Sequence, residues 1–556
     1  MNRFGDYAAA FVIALLLTGD RSTAQTMNMP HSGDSRPVVL SPGLGNTHHT
    51  IRTSSAEAQA FFDQGMDYLF AFNHDEARRS FTKAAELDPK AAMPLWGVAL
   101  AVGPNYNDID IGHAREAQAA DATRRARDLA RVGPASERDY VQTLSERYGM
   151  DAHHDVHVEG LRYSKAMAAL VASYPNDLDA AVLYAESLMD LNPWKLWGPD
   201  GKPAPGTETI VSTLEGVLRR DPNHVGANHF LIHAVEASPD PSVALASAKR
   251  LETLAPAAGH LVHMPAHIYQ RVGDFNDSAH SNEEAIKVDQ AYFRSQHVHA
   301  VGEMYYDMYY VHNIHFLASA CSMEGNAACT GKAADELVKY VTPAFTKDKV
   351  VEWFLPTQPW MLVRFGEWKK ILAAPPAPKE MFVLQAMWDY ARGAAYVGLH
   401  ELAKAETERN ALAEAEQTLT KATPEDFNNP AHAALQLALT ALDARILEAK
   451  GQRAEAIAAW RKAVVILDGF AYNEPADWYY PVRESLGGAL LRDGKPAEAE
   501  AVFRRDLELN PGSGRSLFGL WQSLQMEHRD AEAGRAKAEF ETTWKHADTT
   551  LRVEDL

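Results

Sequence analysis

Cysteine is nearly absent: Cys321 and Cys329 are the only two in 556 residues. They are too few for a thiolate metal site and leave two states open, a short disulfide across one helix hairpin in an oxidising compartment, or two free thiols. Basic residues are also scarce, 54 Lys and Arg against 74 Asp and Glu, for a formal charge of −20. That balance argues against a nucleic-acid backbone or an anionic membrane as partner and favours cationic ones, metals included. No GxxxxGK[ST] is present, and no GxGxxG opens a helix after a strand, so the usual phosphate cradles are missing. A GxSxG elbow and an HExxH pair are missing too, which leaves serine-hydrolase and zincin chemistry without support.

Long apolar runs are confined to the N-terminus. Arg3, an apolar stretch from Ala8 to Leu17, and Ser22-Thr23-Ala24 before Gln25 follow the pattern of a secretory signal peptide. Residues 1–24 are therefore expected to be removed, leaving a periplasmic or secreted protein that does not insert in the membrane; the alternative is a disordered or weakly anchored N-terminus. Residues 25–53, rich in Ser, Gly, Pro, Asn and Thr, read as a flexible lead-in. Met27, Met29, His31, His48 and His49 fall there by chance more readily than as a metal-binding tail.

From Ala58 the period becomes helical. Phe61, Gly65, Tyr68, Ala77, Phe81, Ala84 and Pro89 occupy positions 4, 8, 11, 20, 24, 27 and 32 of a repeating unit, which resembles the tetratricopeptide repeat. With Tyr480 as position 1, Gly487, Leu490, Ala499, Phe503 and Pro511 repeat it. The next unit, begun at Gly514, fits less well: it puts Trp521 at position 8 and Lys537 at position 24, where a large apolar residue belongs. Between these ends the helix pairs stay legible, including a helix expected to stop before Pro343. Such hairpins cannot bury an apolar face alone and must stack. The expected fold is all-α, an elongated right-handed superhelical solenoid of tetratricopeptide-like hairpins, with an N-terminal part over 54–345 and a C-terminal part over 346–556. The Pro- and Trp-rich loop 192–207 is expected to fold back on it.

Histidine supplies the functional signal. NHFLIH (228–233), GHLVHMPAH (259–267) and HNIH (312–315) place seven histidines in three short segments. His229 and His233, His263 and His267, and His312 and His315 are three or four apart, so each pair shares a helix face. If the three first helices face one groove, six imidazoles plus His260 converge there, on the concave side. Imidazole suits copper, zinc, nickel and iron, and the nitrogen-rich set favours copper or zinc over iron. Glu236, Glu303 and Asp307 are the nearby carboxylates, Asn228 and Asn313 are candidates to fix histidine tautomers, and Tyr269, Tyr305, Tyr306, Tyr309 and Tyr310 would wall the region. The competing explanation is structural: histidines half-buried between repeats and bonded to backbone or tyrosine.

Two further functions compete with metal binding for its own sake. In a peptide- or protein-binding scaffold, Tyr184, Tyr269, Tyr310, Tyr472 and Arg483 would line a groove, with Glu474, Trp478 and Glu484 in the same polar-aromatic patch and the histidines as spectators. In a metal-dependent enzyme, Glu236 would serve as base beside an open coordination position. The loop Gly103–Asp108 either caps the next helix or lines the groove.

Six segments are also similar to a large family of bacterial tetratricopeptide repeat proteins without a settled activity. They are FNHDEARRSFTKAAELDPKAAMPLWGVALAVGPNYN, YAESLMDLNPWKLW, DPNHVGANHFLIHAVEAS, GHLVHMPAHIYQRVGD, HNIHFLASA and YNEPADWYYPVRESLG, spread between Phe72 and Gly487. The resemblance implies the helical solenoid and, for some members, export. It carries over no catalytic residues, and the two cysteines depart from it.

Overall fold

The computed structural model describes residues 36–148, 155–296, 298, 303–345, 349–420 and 429–556. The expected signal peptide, Met27, Met29 and His31 lie outside them. Among the described residues there are twenty-five α-helices and no strand, only two isolated bridges, Asn105 to Asp108 and Trp197 to Pro203. None of these helices is long and apolar enough to cross a membrane.

Consecutive helices pack as hairpins of the tetratricopeptide kind, and the sequence supplies their caps. Ser55 accepts from Ala58 N–H ahead of Ala56–Phe70, Asn73 from Glu76 N–H ahead of His74–Leu87, and Asn326 from Cys329 N–H ahead of Ala327–Ala344. Small and large residues then interlock between successive repeats. Phe81, fully buried, lies between Gly65 and Gly97, where an added Cβ would come within 2.5 Å of its ring. Phe503 lies in the same way between Gly487 and Gly519. Gly519, not Trp521, is thus the small residue of the last unit, a correction of two positions to the expected register. In that register Lys537 no longer falls at position 24; it is exposed, with its ammonium 5.4 Å from the Trp521 ring centroid. Another correction concerns Pro343, which sits inside the last turn of Ala327–Ala344 instead of beyond the helix.

Two hydrophobic cores form along the stack. One runs from Leu44 to Tyr309 and the other from Ala279 to Leu556, so they meet over residues 279–309. Tyr305 and Met308 pack against both. The stack is not simply elongated, as was expected, because it curls back on itself. Asp548 accepts from the N–H groups of Ala327 and Ala328, Thr549 donates to Gly325 O at 2.7 Å, and the Gly273 turn touches Pro511 and Gly512. The lead-in, read as flexible, is pinned in its described part. Ser41 N–H donates to Gln64, Thr47 N–H to Asp67, and His49 Nδ1 lies 2.8 Å from Asp179.

Cys321 and Cys329 form a disulfide between Val311–Glu324 and Ala327–Ala344. The loop 192–207 does fold back: Trp197 donates to Ala234 O at 2.8 Å, and Trp194 stacks on Tyr106 with centroids 5.3 Å apart.

The glycine sockets give a paired expectation. Gly97→Ala should destabilise the protein by about 1–3 kcal/mol, since Phe81 has nowhere to move. Gly216→Ala, where a Cβ meets only the Arg219 side chain at 3.6 Å, should instead be neutral or stabilising by up to about 1 kcal/mol. Thermal melts of the two variants beside the wild type check both.

Candidate metal centre

Histidines from three segments converge where the two cores meet. Val225–Val235 carries His229 and His233, and Gly259–His263 carries His260 and His263. Pro265 opens a new helix, Pro265–Val272, where one continuous helix was expected; Met264 keeps right-handed helical angles, so His263 and His267 still share a face. His312 comes from Val311–Glu324. His229, His233, His260, His263 and His267 are all at most 3% exposed and His312 is half-buried, so most of the group is enclosed within the fold.

The ligand atoms fall into two sets of three. Those of His229, His233 and His260 lie within 4.8 Å of one another, as do those of His263, His267 and His312. Glu236 joins the sets, because His233, Glu236 and His267 form a third such group. His315 belongs to none of them; it packs edge-on against Phe354, and its buried Nδ1 has no partner. Six of the seven expected histidines therefore meet, and His315, one step round the helix from His312, points into the C-terminal core.

Tautomers follow from the outer partners. His229 Nδ1 is 2.6 Å from Phe70 O, a pure acceptor, so Nδ1 carries the proton. His263 Nδ1 is 2.7 Å from Asn282 Oδ1, and that amide is oriented by its own donation to Ser278 O at 2.8 Å. Glu236 takes His233 Nδ1 at 3.0 Å and His267 Nδ1 at 2.8 Å, and Glu474 presses on His267 Nδ1 from the other side. In all four, Nε2 is left as the inward nitrogen. His233 Nε2 is buried with no partner, His229 and His260 Nε2 are 3.2 Å apart, and His263 and His267 Nε2 are 2.6 Å apart. Two neutral rings oriented in this way set lone pair against lone pair, so a proton or a metal ion must lie between them. Two nitrogens bound tetrahedrally to one ion at 2.0–2.1 Å stand about 3.3 Å apart, close to the His229–His260 spacing.

Burial decides the charge states. It holds His229, His260, His263 and His312 neutral, well below the usual imidazole range, with neighbouring histidines adding to the effect, and it takes His233 down to about 3. His315 falls to about 4 by burial alone. At His267 burial is outweighed by the Glu474 and Glu236 carboxylates, which raise it to about 10. Burial, and then Glu236, pushes Glu474 up to about 7.

Aromatic rings close the site. Phe72, at φ 55°, stacks on His233 and His260 and meets His229 edge-on at 4.5 Å. Tyr106 and Trp194 flank His233, and Phe316 touches His263, His267 and His312. The loop Gly103–Asp108 thus reaches the site through Tyr106, while Asn107 donates to Tyr309 OH at 2.8 Å. A π-helical turn, Tyr305–Tyr310, sets Tyr309 edge-on to His260 at 4.9 Å.

Several expected roles go elsewhere. Asn228 bonds Pro222 O and His224 O, and Asn313 bonds Asp289, so neither fixes a site histidine. Glu303 and Asp307 are in none of the convergent groups. Tyr269, Tyr310 and Trp478, expected to line a groove, are core residues at most 2% exposed. Tyr472, half-buried, lies under Arg271, and Tyr184 packs against the N-terminal core. Arg483 pairs with Asp468 at 2.6 Å and Glu484 with Arg364 at 3.0 Å, so no charge is left open for a ligand on either.

Comparison with family models and with curated proteins finds no match. Among solved structures, human IFIT1, in a dimer with PPP-AAAA, is 14% identical over 88% of this chain and 92% of that one, with a TM-score of 0.32. Yeast Tom70 is 10% identical over 86% and 90%, with a TM-score of 0.28. Similarity that distant carries nothing about function.

A pH dependence follows from the buried rings. Six imidazoles have folded-state values below the ordinary 6.5, so below that pH the unfolded chain binds more protons and stability falls. His267 acts in the opposite sense: its contribution is full below 6.5 and is lost as pH rises through about 10. Metal-free protein should therefore lose stability from pH 6.5 toward 4, each ring that is still neutral in the fold contributing about 1.4 kcal/mol per pH unit. Denaturant titrations across that range measure the slope.

Proposed function

We propose that this protein is a transition-metal-binding helical-repeat protein that holds a closely spaced pair of ions, one on His229, His233 and His260 and the other on His263, His267 and His312. One observation carries the reading: four of these imidazoles are bonded outward through Nδ1, which turns their Nε2 nitrogens inward, that of His233 with no hydrogen-bond partner. Outer partners of this kind orient metal-ligating histidines and raise their basicity. The all-nitrogen sets favour copper or zinc, and Glu236 and Glu474 supply the nearby negative charge. The ions would neutralise those carboxylates and take the place of the proton between His263 and His267. The disulfide and the N-terminal pattern support export to an oxidising compartment, with Gln25 as the first mature residue.

Purified without a histidine tag or chelator, the wild type should carry about two copper or zinc ions per chain by elemental analysis. The His263→Ala, His267→Ala double variant should retain about one or fewer. Metal at 100 times its dissociation constant should stabilise the wild type by about 2.7 kcal/mol. No metal above the variant's background, together with unchanged melting in copper and zinc, would refute the proposal.

Glu236 provides a finer test. Glu236→Gln cannot accept from both His233 and His267, so metal affinity should fall about 10- to 100-fold with the helical fold kept. Competition with a chelator of known affinity measures it.

A further inference from the structure

A cavity of about 270 Å3 adjoins the centre, between the helix Pro265–Val272 and the loop that follows residue 467, and it shares Glu474 and Phe316 with the centre. Phe275, Phe316, Tyr472 and Trp478 supply aromatic surface to a wall that also carries polar and charged residues. Two of its donors make no hydrogen bond to a carboxylate, although Glu474 and Glu236 lie near enough for their charge to act on Arg271. Arg271, half-buried, donates through Nε to Glu236 O at 2.8 Å and through one Nη to Ser238 O at 3.2 Å, both main-chain carbonyls. Its guanidinium lies 5.5 Å from the Tyr472 ring centroid, and two of its five N–H groups account for those bonds. The indole N–H of Trp478, a residue only 2% exposed, has no acceptor at all.

The acids of the same wall are engaged. Asp468 pairs with Arg483, Asp477 accepts from Trp353 and Asn429, Asp506 accepts from Ser516 and Asn510, and Glu474 faces His267. What the cavity offers a guest is therefore hydrogen-bond donation from the remaining N–H groups of Arg271 and aromatic surface. A buried polar donor left without an acceptor is costly, and a guest that accepts there removes the cost.

We propose that this cavity binds a small aromatic carboxylate, its anionic group on Arg271 and its ring against Tyr472 and Phe316. A guanidinium takes a carboxylate through paired N–H bonds, and the aromatic side chains beside it offer a face for a ring. The inference does not depend on the metal centre, because neither Arg271 nor Tyr472 is a metal ligand.

The test is calorimetric titration of the full-length protein as purified, with benzoate and phenylacetate as probes and their neutral amides as controls. At least one of the acids should bind about tenfold or more tightly than its amide, the discrimination expected of a charged hydrogen bond. Arg271→Gln should abolish that preference. Arg271→Lys, which keeps the charge without the planar fork, should retain part of it and guards against a variant that fails to fold. Tyr472→Leu should weaken acid and amide alike. Acids that bind no better than their amides in the wild type, or a preference that survives in Arg271→Gln, would overturn the proposal. Elemental analysis of the same samples keeps this result separate from the fate of the metal reading.

Discussion

A single buried carboxylate organises the centre. Glu236 ends the helix Val225–Val235, and its two oxygens hold His233 from one histidine set and His267 from the other. Both rings are thereby locked in the tautomer that turns Nε2 inward, and their helices are fixed relative to each other. A carboxylate at 1% exposure is strongly disfavoured unless positive charge answers it. His267, held well above the ordinary imidazole range, supplies that charge as a proton carrier, or an ion supplies it in the proton's place. Glu474 makes the demand larger, because two carboxylates meet one imidazole there.

The surrounding structure tolerates this polar knot because aromatic packing closes over it. Phe72 adopts left-handed backbone angles, which a residue with a side chain takes at a cost of about 1–3 kcal/mol, and its ring covers three histidines. Phe70 provides the carbonyl that fixes His229. The first helix hairpin thus contributes to the centre through its turn, although it contains no ligand.

Much of the architecture was legible in the sequence because close packing of repeats leaves a strict mark: Gly65, Phe81, Gly487 and Phe503 sit where the interlocking of helices requires them. The histidine pairs were legible because i, i+4 spacing fixes a shared face, and five of those six paired residues, joined by His260, are brought together. His315 was misjudged because a three-residue step rotates a side chain far enough to enter a different core. The outer partners left no local trace. Phe70 acts through its backbone, and Asn282 and Glu474 reach the site from elsewhere in the chain. Glu474 was singled out only as part of an aromatic patch some 200 residues from the histidines. Arg483 and Glu484 were read as members of a groove-facing patch, yet each has an internal counterion that only the folded chain supplies.

That distance along the chain divides the centre between two parts of the sequence. The helices bearing all six imidazoles end by residue 324, while Glu474 comes from a loop far beyond them. A partly made chain therefore possesses the nitrogen donors but lacks one of the two carboxylates that balance the charge around them. The electrostatic state of the histidine pocket therefore depends on a carboxylate supplied from outside the helices that carry its imidazoles.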